Sequence, residues 1–285
     1  LLFRRVEMPR VLFGGMLIAD RYALFFCFLF VVVALVTVVS YGAYAREHRV
    51  EHGEFYALIL FGTAGMVILA MATDLVSVFI GVETMSMAAY VLTGAFRYRP
   101  SSGEGALKYF LLGAFASAFF LYGIALVYGM TGTTRLATLE EVAGTVARAP
   151  VFLIGVFFLV TAFAFKLALA PFHMWAPDAY EGAPTPVTGF MATGIKAAAI
   201  AGVLRVFVGA LGGEVLPFGR AGWASIFAVL AAITMTLGNL AALRQENIKR
   251  MLAYSSIAHA GYLVVGVVAA GVGVGDTAVS AVLFY

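Results

Sequence analysis

Apolar stretches of membrane-crossing length alternate with short polar breaks along almost the whole chain. A helix needs ~20 such residues to cross ~30 Å of hydrocarbon. Runs of that order extend from Tyr22 to Tyr44, Phe55 to Ala72, Leu75 to Phe96, Leu107 to Met130, Val151 to Ala170, Val187 to Ala210, Trp223 to Leu243 and Met251 to Ala270, and a ninth begins near Thr277. They are too long for barrel strands, and an open sheet edge is not tolerated in lipid, so the pattern predicts an all-α polytopic membrane bundle. Residues 1–21 read as an extramembrane lead-in and 22–285 as a single transmembrane domain of about eight spans plus a partial ninth. The first residue is Leu1 and the last five are Ala-Val-Leu-Phe-Tyr, without a charged flank, so the bundle is expected to be truncated at both ends.

The fifth run breaks the pattern. Lys166 is followed by Pro171, Pro177, Pro184 and Pro186 in LALAPFHMWAPDAYEGAPTP. Pro171 has no N–H for the carbonyl of Leu167 and clashes with it, so the helix must break and leave free carbonyls about one turn from Lys166. Broken helices survive at membrane depth only where protein or a water-filled cavity satisfies their backbone, and they point to transport sites.

Composition sharpens this picture: 63% of the 285 residues are hydrophobic, 12% are charged, and the mean hydropathy is +1.00. A soluble enzyme and a disordered chain are both excluded. The single Cys27 and four histidines suggest no disulfide and no metal centre. The net charge of +3 comes from basic residues scattered among the breaks, which reads as membrane topology and not as a nucleic-acid surface. One side carries Arg46, Arg49, Arg97, Arg99, Lys108, Arg244, Lys249 and Arg250; the other carries Arg135, Arg148, Arg205 and Arg220 plus the basic lead-in with Arg4 and Arg5. With the lead-in discounted, the first side is expected in the cytoplasm.

Three of the charges that fall inside apolar runs stand out: Glu83, Lys166 and Lys196. A charge at the centre of the bilayer costs ~2.5 kcal/mol or more and calls for a partner. The bland reading is a fixed Glu–Lys ion pair, or a lysine reaching to the interface. The functional reading is a proton switch, because burial favours neutral lysine and an approaching carboxylate favours the charged form. His173, in the break, and His259, within the eighth run, are further candidates, with His259 weighed against a core histidine bonded to Ser255, Ser256 or a carbonyl. Glu104 and Lys108 read as a surface pair, with Lys108 facing into the bundle as the alternative, and Asp178 and Glu181 read as caps of helix ends ahead of the lining of a vestibule. The glycine-rich GVVAAGVGVGD lacks the context of a nucleotide site and reads as close helix packing.

EGALKYFLLGAF, FKLALAPFHMWAPDAYEGAPTPVTGFMATGIKAA and NIKRMLAYSSIAHAGYL together resemble the antiporter-like membrane subunits of respiratory complex I, the proton-pumping NADH-quinone oxidoreductase. The resemblance runs over nearly the whole chain and implies an antiporter-like bundle of inverted repeats with discontinuous helices, of which this chain would supply the third to tenth helices and the start of the eleventh. The family's transmembrane glutamate then falls on Glu83, its broken-helix lysine on Lys166, its central lysine on Lys196, and its polar-path histidines on His173 and His259. The second broken helix would lie beyond Tyr285. The resemblance further implies a bacterial plasma-membrane location and partnership with lipid, protons and the other membrane subunits of the complex. It leaves no redox cofactor in this chain, with NADH, FMN, iron–sulfur clusters and quinone handled by other subunits. The alternatives are a subunit of a related sodium/proton antiporter or membrane-bound hydrogenase, a non-conducting scaffold subunit, and a free-standing solute carrier.

Overall fold

The computed structural model describes residues 9–48, 53–96, 98–212 and 222–285. Arg4, Arg5, Arg49, Arg97 and Arg220 from the charge count lie outside the described residues. The lead-in departs from an all-α reading. Strands β1 (Arg10–Leu12) and β2 (Leu17–Ala19) pair antiparallel, Leu12 opposite Leu17, around a turn at Phe13–Gly15. Gly14 and Gly15 hold φ of 63° and 97°, and a Gly-Gly pair between apolar triplets supplies such a turn without steric cost.

Helices follow in the order α1 (Arg21–His48), α2 (Gly53–Met71), α3 (Leu75–Thr93), α4 (Pro100–Thr131), α5 (Leu136–Val146), α6 (Pro150–Lys166), α7 (Trp175–Gly182), α8 (Thr185–Ala210), α9 (Trp223–Ala242), α10 (Ile248–Ala269) and α11 (Gly275–Phe284). Among the described residues, seven are long and apolar enough to cross a membrane, and α6 is a shorter apolar helix. Their starts are written locally. Asp74 accepts from the Val76 N–H at 2.8 Å, Asn247 accepts from Lys249 N–H at 2.9 Å, and Pro100 and Pro150 sit in first turns where a missing N–H is harmless. α4 begins at Pro100, well before the apolar run at Leu107, because helix bonding continues past the hydrocarbon edge. The amphipathic α5 is too short and too polar to register as a span.

The discontinuous helix is present, with a corrected boundary: α6 stops at Lys166 and not at Ala170. Ala168 takes φ of +55°, a left-handed conformation that an L-residue holds only when its surroundings over-determine it. Carbonyls just before the break are taken up: Phe163 O accepts from Leu167 N–H, Ala164 O from Leu169 N–H, and Phe165 O from both Ala168 N–H and the Trp175 indole at 3.1 Å.

Polar belts close the two ends of the bundle. At one end, Arg205 donates to Asp20 at 2.9 Å and to the Ala70 carbonyl at 2.8 Å, Thr134 donates to Asp74 at 2.6 Å, and Thr73 and Ser77 hold the hairpin through Gly15 O and Met16 O. At the other end Lys108 and Arg250 pair with Asp178, Arg250 also with Glu181, and Lys249 donates to the backbone carbonyls of Glu181 and Ala183. This separates the described members of the two basic groups as the alternation of spans requires.

Between the belts, α2 and α3 pack backbone to backbone. A Cβ added to Gly81 would stand 2.7 Å from Leu69 N and 2.9 Å from Leu69 Cα, and one on Gly65 would stand 2.9 Å from Gly81 O. Small residues at such crossings let helices approach where lipid gives no hydrophobic drive. This crossing fixes α3, and with it Glu83.

Candidate functional site

Ending α6 at Lys166 places its ammonium inside the bundle, 3% exposed, at the negative end of a helix dipole. Its Nζ donates to Ser86 Oγ at 2.7 Å and to Tyr90 Oη at 3.2 Å, both on α3. Ser86 in turn donates to the Val82 carbonyl. Glu83, Ser86 and Tyr90 stand at i, i+3 and i+7, so they share one face of α3. Glu83 is half-buried one turn from Lys166's hydroxyl partner and accepts from Ser117 of α4 at 2.5 Å. The fixed Glu–Lys ion pair is absent: among the described residues no carboxylate lies within 4.0 Å of Lys166 or Lys196.

Lys196, 5% exposed, comes directly after a π-helical turn at Met191–Ile195. Such a turn adds a residue to the helix and rotates the residues beyond it, and it recurs at functional positions. Lys196 Nζ donates to Ser256 O at 2.7 Å and Ser256 Oγ at 2.8 Å on α10, and lies 6.0 Å from the centre of the Tyr180 ring. Lys196, Ser256, His259 and Tyr285 open onto one cavity of about 440 Å³, walled by Phe25, Phe26 and Leu263. His259 Nδ1 pairs with the Tyr285 hydroxyl, so the alternative of a bond to Ser255, Ser256 or a carbonyl is corrected.

His173 lies in the break between α6 and α7, edge-on to Tyr254 at 6.4 Å, and among the described residues its buried Nδ1 has no hydrogen-bond partner, nor has the Tyr180 hydroxyl. A line of aromatic contacts joins the two lysine neighbourhoods: Tyr90 meets Tyr109 edge-on at 4.5 Å, Tyr109 stacks on Trp175 at 4.0 Å, and Trp175 meets Tyr180 at 6.1 Å. Glu83 and Lys166 therefore gather on one side of this line, and Lys196 and His259 on the other.

Asp178 and Glu181 are not caps. The N-terminal flank of α7 has no side-chain cap, and both carboxylates reach across elements instead. Arg250 Nη1 donates to Asp178 at 2.6 Å and to Glu181 at 2.9 Å, while Lys108, already paired with Glu104 at 2.6 Å, donates to Asp178 at 2.7 Å. Burial pushes the Asp178 carboxyl up, but hydrogen bonds from Lys108 and Arg250 outweigh it and hold the group below the ordinary carboxylate range. The tie is therefore fully present above the ordinary carboxylate pKa and fades as pH falls through the lowered native value. Arg250→Gln is expected to weaken the anchoring of α7 by about 1 kcal/mol, since the partners are partly solvated. The check is the thermal midpoint of the detergent-solubilised protein; an unchanged midpoint at low salt would count against the tie.

Ser86, Tyr90, Ser117, Tyr180 and Ser256 were not singled out from sequence. Helical spacing from Glu83 would have found Ser86 and Tyr90, and Ser256 stands one turn before His259; no local signal marks Ser117 or Tyr180. Among the described residues no group of three His, Cys, Asp or Glu converges to hold a metal ion.

Residues 72–285 match the family model described as NADH:quinone oxidoreductase/Mrp antiporter, TM. The chain is 53% identical to NADH-quinone oxidoreductase subunit N 1 of Sorangium cellulosum (strain So ce56), over 94% of this chain and 54% of that protein. It is similar to a chain of respiratory complex I from Thermus thermophilus with bound aureothin, at 39% identity and a TM-score of 0.77, over 97% of this chain and 56% of that one. A chain of the Mrp complex from Dietzia sp. DQ12-45-1b shares the fold at 24% identity and a TM-score of 0.78, over 94% of this chain and 48% of that one. The chain spans about half the length of the curated relatives it matches.

Proposed function

This chain belongs to the NADH:quinone oxidoreductase/Mrp antiporter membrane family, and from that premise we propose that it moves protons as part of subunit N of a bacterial NADH-quinone oxidoreductase. The subunit would sit in the plasma membrane among the other membrane subunits of the complex, with the Lys108–Arg250 end of the bundle in the cytoplasm. NADH, FMN, iron–sulfur clusters and quinone belong to other subunits in this reading. Redox energy reaches the chain as a change in the field around Glu83.

The observation that carries the reading is how the lysines are held. Both are buried, and among the described residues both donate only to neutral oxygens: Ser86 and Tyr90 for Lys166, Ser256 for Lys196. A lysine locked to a carboxylate keeps its proton, whereas one held by hydroxyls and a carbonyl can give it up and remain hydrogen-bonded. Glu83 stands one turn away on the same face as Ser86 and Tyr90, close enough for its field to bias Lys166 without binding it. Histidines 173 and 259 extend the path towards the break and the cavity beside Lys196. The 53% identity to subunit N favours this complex over an Mrp-type antiporter, for which the structural likeness speaks of the fold alone.

The test is proton uptake against electron transfer in inverted vesicles holding the intact complex. Lys196→Ala is expected to lower the proton-to-electron ratio by roughly tenfold at that step, because among the described residues lining its cavity there is no second amine to take its place. A complex with Glu83, Lys166 and Lys196 all neutralised that still pumps at the normal ratio would make the chain a scaffold.

A further inference from the structure

The break after Lys166 leaves backbone N–H groups at membrane depth, where each must find a partner within the protein. Three of the first four bond back into α6: Leu167 to Phe163 O at 2.9 Å, Ala168 to Phe165 O at 3.0 Å and Leu169 to Ala164 O at 2.8 Å. The fourth crosses to another helix. Ala170 N–H donates to Thr234 Oγ1 of α9 at 2.9 Å, and the next residue, Pro171, has no N–H to offer. Both ends of this bond are fully buried.

Thr234 is suited to receive it. Its hydroxyl proton goes to Leu230 O at 2.5 Å, which turns a lone pair towards Ala170. Many other threonines of the bundle only close a bond to their own helix, as Thr63 does to Ile59 O and Thr236 to Ala232 O. Thr234 also sits where α9 lies tight against α10. A Cβ on Gly238 would stand 2.9 Å from Ala258 N, and one on Gly261 would stand 3.2 Å from Ala231 O. The helix that carries Ser256 and His259 is thereby tied, through α9, to the turn that follows Lys166.

We propose that Thr234 is a positioning residue: its hydroxyl fixes where the broken helix stops, and so where the Lys166 ammonium sits against Ser86 and Tyr90. This rests on the proton-carrying role proposed for Lys166. With a left-handed Ala168 and a proline at its end, the turn offers the Ala170 N–H no other hydrogen-bond acceptor among the described residues, so losing the Thr234 acceptor leaves it unpaired and lets the end of α6 re-form differently.

The experiment uses the intact complex with Thr234→Val, which removes the acceptor at nearly constant volume, Thr234→Ser, which keeps it, and Thr236→Val, which removes an exposed hydroxyl of the same helix. Amide exchange of residues 163–175 and the proton-to-electron ratio are read together, with Lys166→Ala alongside. Thr234→Val is expected to speed exchange in that segment by about tenfold while α1 is unaffected, and to lower the ratio roughly threefold. Thr234→Ser and Thr236→Val are expected to match the wild type. Unchanged exchange in Thr234→Val overturns the inference, as does faster exchange with a normal ratio in a complex that Lys166→Ala uncouples. A normal ratio in Lys166→Ala overturns the underlying reading instead, and the exchange result then still decides whether Thr234 holds the break. Should Thr234→Val not assemble, Thr234→Cys, a weaker acceptor, takes its place. A Cys variant identical to the wild type in both readouts overturns the proposal.

Discussion

Lys166→Ala is expected to abolish proton translocation in the intact complex while the subunit folds and assembles. The sign of the structural effect separates this from ordinary damage. A lysine at the centre of a bilayer is unfavourable by about 2.5–3.5 kcal/mol on insertion scales. Replacing it with alanine removes that burden, at the loss of hydrogen bonds to Ser86 and Tyr90 worth about 1 kcal/mol each. Stability should therefore change little, or rise. Glu83 is not orphaned, because its bond is to Ser117 and not to the lysine. If Lys166 were one half of a structural ion pair, its removal would leave a buried carboxylate unpaired and destabilise the subunit by about 3–5 kcal/mol. The measurement is the proton-to-electron ratio in vesicles, together with the thermal midpoint of the purified complex. A lost ratio with an unchanged midpoint is the expected result. A normal ratio with a lowered midpoint would assign Lys166 to structure.

The spans could be read along the chain because a bilayer demands apolar residues all round each helix, and nothing in the folded state relaxes that demand. The trio of Glu83, Lys166 and Lys196 was legible for the same reason: a charge inside such a run is costly enough to need an explanation. Pro171 announced the break but not its place. Where α6 stops depends on the left-handed turn at Ala168 and on the bond from Ala170 to Thr234, sixty-four residues later in the chain, and no local pattern encodes a bond at that separation. The hydroxyl partners were hidden by the company they keep. Serine and threonine are common in membrane helices and most often bond their own preceding turn, as Thr84 does to Ile80 O, so Ser86 and Ser256 look ordinary until a lysine is folded against them. Asp178 and Glu181 were misjudged because their position suggested a helix end, whereas Arg250 and Lys108 reach them from distant helices. The hairpin, by contrast, is written in Val-Leu-Phe-Gly-Gly-Met-Leu-Ile, a turn signal between two apolar triplets too short to register as a span.

Gly81→Val is expected to prevent assembly altogether, although no chemistry is assigned to that residue. The added side chain would begin 2.7 Å from Leu69 N and 2.9 Å from Leu69 Cα. Those are backbone atoms in the last turn of α2, and they cannot swing aside as a side chain could. The partner helix has no slack either, since Gly65 stands equally tight against Gly81 O and Met85. Overpacking of a close core costs about 1–3 kcal/mol when neighbours can adjust. Here the whole crossing must open, and every side chain of α3 shifts with it. Glu83 lies two residues along from Gly81, so even a subunit that tolerated the strain would carry its carboxylate out of register with Ser117. Gly129→Ala is the control: a Cβ there meets nothing within 4 Å, and alanine stabilises an exposed helix by about 0.5–1 kcal/mol relative to glycine. Membrane content of the complex, measured by immunoblot and by quinone-reductase activity, should fall to background for Gly81→Val and stay at the wild-type level for Gly129→Ala. Normal content of an active Gly81→Val complex would mean that the α2–α3 crossing is looser than the backbone contacts require, and that Glu83 is placed by some other element.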